Sequence, residues 1–364
     1  MILEKNLPML KIGSLVAKYP VVQGGMGVKI SGSGLAAAVA NQDGIGVIAA
    51  ADIGADESDF HRDPLAANVR ALLKEIRRAR ELSTGIIAVN IMFALTHYAE
   101  MAQAAIEEGV DIIFSGAGIP KNLPEFLKGS TRTQLVPIVS SAKAALLIAK
   151  YWYKKYEYVM PAVVVEGPGA GGHLGFKAED LDNPDFSLEN IVPEVIEELK
   201  AFESERGVSV AVIAAGGIYT GADILKFIRL GAKGVQMATR FVTTHECDAA
   251  IEFKLAYINS RPEDLIIIKS PVGMPGRAIR GKFLDAVARG ERTPIKCPFK
   301  CLKTCDPETA PYCISCALIN AYKGKLLGGF VFAGINAHRA TEIIHVEKLF
   351  QDLKDEYAEA VAAA

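Results

Sequence analysis

The chain has 364 residues, 50% hydrophobic and 23% charged, a globular composition that excludes a disordered or low-complexity protein. Its 40 Lys and Arg nearly balance 42 Asp and Glu, and a formal net charge of -2 leaves no basic stripe for nucleic acid. The length suits two ordinary domains, or one α/β barrel of about 250 residues with an appendage. Residues 1–8 carry an early acid, Glu4, and a break at Pro8, so no secretory leader is expected there. No run of about 18 apolar residues follows, so no membrane span is expected, and the expected location is cytoplasmic. Short apolar runs then recur at 20–23, 45–49, 86–90, 112–115, 136–140, 162–166, 210–214 and 234–238. They do not alternate with polar residues, as expected of parallel strands buried on both faces. Between them, helical spacing marks 64–82, 142–154, 187–205 and 221–230. Lys74, Arg77, Arg78 and Arg80 fall on the outer face of the first, and Thr220-x-x-Asp223 forms a capping box opening the last. Eight β-then-α units predict an α/β fold, a (β/α)8 TIM barrel, with an open doubly wound sheet as the alternative. Past the eighth strand the pattern changes. The chain reads as a barrel over 1–259, a cysteine-rich elaboration over 260–337 and a closing helix over 338–364.

In a parallel barrel, functional groups gather where the strands end. After the first strand comes Gln23-Gly-Gly-Met-Gly27, whose glycines let the backbone pass close to a flat ligand. The third strand ends at Asn90, an amide that both donates and accepts. The sixth runs into a loop with glycines at 167, 169, 171, 172 and 175 around His173. A histidine in that setting exchanges a proton near neutral pH, whereas His61, His97, His245, His338 and His345 lack such context. Strands seven and eight lead into Gly216-Gly217 and Ala238-Thr239. Small residues at those two tips expose amides where such barrels commonly bind phosphate; for any one glycine alone, a tight turn is the simpler reading.

Five cysteines fall together as Cys297-x3-Cys301-x3-Cys305-x7-Cys313-x2-Cys316. The spacing matches neither a ferredoxin nor a paired zinc ribbon. Soft thiolates without nearby histidine suit an Fe-S cluster or an all-thiolate Zn site, with Cys297, Cys301, Cys305 and Cys313 as ligands and Cys316 in reserve. Free buried thiols and a regulatory disulfide are the alternatives. Pro298 and Pro307 argue against one regular helix through the cluster. The stretch 269–282, with Arg277 and Arg280, reads as a solvated surface or a cover over the barrel mouth, with a docking face as the alternative.

Four motifs now stand in order: Pro20-Val-Val-Gln-Gly-Gly-Met-Gly27, Glu166 through Gly175, Ala214-Ala-Gly-Gly-Ile218 and Gly234-Val-Gln-Met-Ala-Thr-Arg-Phe241. Over about residues 8–250 the chain resembles the nitronate monooxygenase (2-nitropropane dioxygenase-like) flavoproteins. It is also similar to the related flavin-dependent enoyl-acyl carrier protein reductases. It departs from them at Pro168-Gly169, often an acidic or polar pair, and at Ala238, commonly Gly. The resemblance implies FMN in the barrel mouth. Gly25 and Met26 would lie against the isoalloxazine ring, Asn90 on its polar edge, and the phosphate on Gly216, Gly217, Ala238 and Thr239. Gly24, Ser140, Lys143, Glu166, Gly171, Gly172 and Gln236 would complete the cofactor site, and His173 matches the catalytic histidine. The implied reaction is FMN-dependent oxidation of alkyl nitronates or nitroalkanes to a carbonyl compound and nitrite. The alternatives are an NAD(P)H-dependent reductase of an enoyl thioester or quinone, and a non-catalytic barrel holding a phosphate ligand or a metal. The expected partners are a small-molecule substrate with O2 or NAD(P)H, and a homodimer is compatible with the sequence.

Overall fold

The computed structural model describes residues 6–291, 297 and 299–364. Residues 1–5 of the stretch read for a leader, and Pro298, lie outside them. Eight parallel strands close into a barrel: β1 (Val21–Gln23), β2 (Ile45–Ala49), β3 (Ile86–Asn90), β4 (Ile112–Ser115), β5 (Gln134–Val139), β6 (Ala162–Glu166), β7 (Ala211–Ala215) and β8 (Gly234–Met237). Each pairs with its neighbours in the chain, and β8 returns to β1 with Val235, Gln236 and Met237 opposite Val21, Val22 and Gln23. That closure excludes the open doubly wound sheet, which would leave two edges.

The missing alternation has a direct cause. Val22, Val47, Ala88, Phe114, Val136, Val164 and Ile213 cluster inside the barrel. Their chain neighbours, among them Val21, Ile48, Ile87, Ile113, Leu135, Val163 and Val212, belong to the layer between strands and helices. Both faces are therefore apolar. A two-stranded hairpin, Leu10–Ile12 with Leu15–Ala17, adds Leu10, Ile12 and Ala17 to the inner cluster and plugs the barrel at the end where the strands begin.

The outer layer contains α1 (Ser33–Asn41), α2 (Pro64–Leu82), α3 (Tyr98–Glu107), α4 (Ala142–Tyr156), α5 (Leu188–Arg206) and α6 (Gly221–Arg229), with a 3-10 turn at Leu123–Leu127 between β4 and β5. Helices α2, α4, α5 and α6 are the four expected. The box at α6 is present: Thr220 Oγ1 accepts from Asp223 N–H at 3.1 Å, and Asp223 Oδ2 accepts from Thr220 N–H at 2.8 Å. Helix α1 escapes sequence reading because it is apolar on most sides. It packs so closely that a Cβ on Gly46 would lie 1.8 Å from the Ala36 carbonyl oxygen.

After β8 come α7 (Thr239–Val242), α8 (Ile251–Ile258), the antiparallel pair β9 (Leu265–Lys269) and β10 (Pro275–Ile279), α9 (Lys282–Ala288), α10 (Ile314–Tyr322) and α11 (Val346–Ala362). Helix α11 packs on α6 and α1 and occupies the eighth helical position around the barrel. Strand β10 pairs with Gly172 and His173, which lays this segment over the barrel mouth. Among the described residues no helix is long and apolar enough to cross a membrane.

Candidate active site

A cavity opens where the barrel strands end, with the segment after β8 as its roof. Gly24, Gly25 and Met26 follow β1, Asn90 ends β3, and Glu166 ends β6, with Gly171, Gly172 and His173 in the loop beyond. Gly216 and Gly217 follow β7, Gln236 lies on β8, and Ala238 and Thr239 follow it; all of these line the cavity. Two expected residues do not. Ser140 backs Gly175, where a Cβ would lie 2.3 Å from Ser140 Oγ, and Lys143 is exposed in the first turn of α4. Strand β5 reaches the cavity through Ile138 instead.

The floor is held by short, buried contacts. Gln23 Oε1 accepts from Val47 N–H at 3.0 Å and ties the end of β1 to the middle of β2. Gly25 runs so near β3 that a Cβ there would lie 2.3 Å from Asn90 Cβ. Gly216 and Gly217 have φ of 97° and 83°, the left-handed region that side-chain-bearing residues rarely adopt. Gln236 Oε1 is buried and has no hydrogen-bond partner among the described residues. A buried acceptor left unpaired is costly, so this oxygen calls for a donor from whatever fills the cavity.

His173 stands across from this floor. Its Nε2 lies 2.7 Å from Ser270 Oγ, and its ring meets Phe332 edge-on with centroids 5.0 Å apart. Its backbone pairs with Gly276 on β10, and Leu174 N–H donates to the Pro275 carbonyl at 2.9 Å. Burial disfavours the imidazolium and pulls the His173 pKa down to about 4, so the ring is neutral at pH 7. Burial acts the opposite way on Glu166, raising its carboxyl to about 7. The loop that carries His173 is clamped from above. The buried guanidinium of Arg277 donates to the Pro168 carbonyl and, at 2.8 Å, to that of Ala170. Gly171 rests against the main chain of the roof, where a Cβ would lie 2.5 Å from Ala333 C. Asn336 Nδ2 donates to the Gly217 carbonyl at 2.6 Å.

Ser270, Arg277, Phe332 and Asn336 were not legible as site residues. Each reaches the site only once the distal segment folds over the mouth; Ser270 and His173 are 97 residues apart. The one signal was the basic stretch 269–282, of which the mouth-cover reading suits Arg277 and the solvated reading suits the exposed Arg280.

The cysteines are all free thiols. The expected Fe-S or Zn site is not supported: among the described residues, no group of three or more His, Cys, Asp or Glu could hold a metal ion. Cys297, Cys301, Cys305 and Cys313 lie close enough to interact electrostatically, yet their sulfurs have other neighbours as well. Cys297 Sγ accepts from Lys300 N–H at 3.3 Å, Cys301 and Cys305 pack on the main core, and Cys313 and Cys316 pack beside Phe60 and Phe299.

Comparison with known proteins agrees with this geometry. The profile of the family described as nitronate monooxygenase matches residues 9–356. A probable nitronate monooxygenase of Staphylococcus aureus is 28% identical over 303 residues, covering 76% of this chain and 79% of that protein. FabK from Thermotoga maritima superposes with a TM-score of 0.73 at 26% identity, over 94% of each chain. The nitroalkane oxidase of Streptomyces ansochromogenes shares the fold, with a TM-score of 0.72 at 21% identity, over 94% of this chain and 97% of that one. The chain belongs to the nitronate monooxygenase family and is a flavin-dependent oxidoreductase.

Proposed function

We propose that this chain binds FMN in the barrel mouth and oxidises alkyl nitronates or nitroalkanes to a carbonyl compound and nitrite, with O2 as electron acceptor. The observation that carries this reading is a neutral His173 facing a floor of close-approaching backbone and an unpaired Gln236 oxygen. The residues present suit FMN. Backbone amides around Gly216, Gly217, Ala238 and Thr239 would hold its phosphate, Gln236 Oε1 would accept from a ring N–H, Asn90 would meet the polar edge, and Gly25 and Met26 would flank the ring. When bound, FMN supplies the electron-accepting chemistry that side chains lack.

The rest of the work belongs to the chain. Ser270 orients the imidazole, so that His173 presents its ring to the substrate carbon. His173 takes the proton α to the nitro group of a neutral nitroalkane, or orients a nitronate that arrives ionised. Phe332, Ala333 and Gly334 of the roof keep bulk water from the reacting carbon.

The superposition on FabK favours a second reading, an NAD(P)H-dependent reductase of an enoyl thioester or quinone using the same cavity. Two assays on the FMN-loaded protein separate the readings. Oxidation predicts nitronate-dependent O2 uptake with nitrite release. Rapid anaerobic bleaching of the flavin by NAD(P)H, with no nitrite formed from nitronates in air, would replace it by the reductase.

A further inference from the structure

Besides floor and roof, the cavity has a side wall. Val28 and Ile30 in the turn after β1, Ala51 in the loop after β2, and Leu318 on α10 build it. The turn is rigid within itself: Met26 N–H donates to Ser31 Oγ at 2.9 Å, and the Met26 carbonyl accepts from the N–H groups of Ile30 and Ser31 at 3.2 and 3.0 Å. Its far end is fixed where the Ile30 carbonyl accepts from Asp248 N–H at 3.2 Å. At its tip, Lys29 has a φ of 55°, and Asp52, next to Ala51, has a φ of 44°, both in the left-handed region that residues with a side chain rarely adopt. Each of these two residues bonds to a group outside its own turn. Asp52 is buried and accepts from the Ser315 hydroxyl at the start of α10. Lys29 Nζ lies 2.7 Å from Asp56 Oδ2. Asp56 also gathers the other end of α10: Tyr322 Oη donates to it at 2.8 Å, and Lys323 Nζ lies 3.0 Å away. Between these two anchors, Ile319 packs beside Phe60 of the same loop, and Leu318 faces the cavity.

We propose that Asp56 is a positioning residue for the cavity: through Lys29, Tyr322 and Lys323 it fastens the 26–31 turn to the end of α10, and so sets how long the cavity holds FMN. The proposal rests on the reading of FMN as the occupant. An isolated surface ion pair contributes little, because water screens it and two long side chains must be ordered. Asp56 differs in taking three donors from two separate segments, with its side chain 39% exposed and that of Lys29 only 21%. Removing the carboxylate frees both segments at once. Lys29 then keeps only its approach to the Tyr322 ring, 5.6 Å from the centroid. Because the turn is rigid, a shift at Lys29 carries Val28 and Met26 with it, and both line the cavity. The start of α10 stays seated by Ser315 on Asp52, so the movement falls on the stretch from Leu318 to Lys323. The wall therefore loosens while floor and roof stay in place.

The test uses the full chain loaded with FMN. Release of FMN on dilution is followed by flavin fluorescence, and hydrogen exchange of the same preparations is read by peptide mass mapping. Asp56→Asn and Lys29→Met should each release FMN about tenfold faster than wild type, the double variant no faster than either, and Asp56→Glu should recover most of the loss. High salt should speed release from wild type and leave Asp56→Asn unmoved, because only the former has charges to screen. Exchange should rise together at 26–31 and 318–323 in Asp56→Asn and stay unchanged in the barrel strands. Release from Asp56→Asn within about twofold of wild type, additive losses in the double variant, or exchange that rises on one side of the seam only would overturn the proposal. If a variant fails to fold, the salt dependence of wild-type release decides, and a flat response counts against Asp56. Exchange needs no cofactor: a chain that takes up no FMN yet loosens at both segments in Asp56→Asn counts against the flavin reading and leaves the fastening by Asp56 standing.

Discussion

His173 concentrates the residue-scale argument. Its ring is neutral because burial penalises the cation, and Ser270 fixes its direction. His173→Ala should therefore cost about 10²–10⁴-fold in turnover of neutral nitroalkanes while leaving FMN bound, as measured by nitrite release and by flavin absorbance. The lowered pKa has a defined sign. A base with pKa about 4 stays unprotonated until pH falls below that value, so the acid limb of kcat/KM should lie near pH 4, well under the 6.5 of ordinary imidazole. An acid limb at 6.5 would mean that the imidazole is solvated during turnover. Gly217 makes a backbone argument instead. An alanine at φ of 83° is strained by about 1–2 kcal/mol, which the loop relieves by leaving its present shape. Gly217→Ala should weaken FMN about tenfold in a fluorescence titration.

Secondary-structure elements show where reading from sequence succeeds and where it stops. The eight strands were legible because a strand buried on both faces is written as an unbroken apolar run, as in Ala162–Glu166. Helix α2 was legible through its charged outer face, while α1, with Leu35, Ala36, Ala37, Val39 and Ala40 all buried, shows no stripe. The glycines, Asn90 and His173 were legible because Asn90 ends its strand and the others lie in the loops that follow the strands. The β9–β10 hairpin was not, since its partner, Gly172–His173, is a two-residue strand about a hundred residues earlier. Ser140 and Lys143 do not line the cavity, which β5 reaches through Ile138. The hairpin gives a test at its own scale. Arg277→Leu removes the donor from two carbonyls of the loop that carries His173 and should lower stability by about 3 kcal/mol and kcat together, seen by thermal denaturation and steady-state assay. Unchanged kcat would mean that the loop holds its shape without the clamp.

The molecule as a whole is a barrel whose two ends are closed by different means. The hairpin at residues 10–17 plugs the end where the strands begin, and the segment after β8 roofs the end where they finish. That segment then returns as α11 to fill the last place in the helical ring. Phe350, fully buried on α11, lies against β2's approach, where a Cβ on Gly44 would come within 2.7 Å of its ring. Phe350→Ala should cost about 3–5 kcal/mol and lower Tm without altering the cavity residues. Closing the barrel from both sides leaves a cavity between floor and roof that His173 lines.

The most direct measurement is an equilibrium titration of the purified chain with FMN, followed by visible absorption and flavin fluorescence. Saturable uptake of one FMN per chain is expected, retained in His173→Ala and weakened about tenfold in Gly217→Ala. A colourless chain whose signals do not respond to FMN, or one that binds it equally well with alanine at 217, would contradict the account.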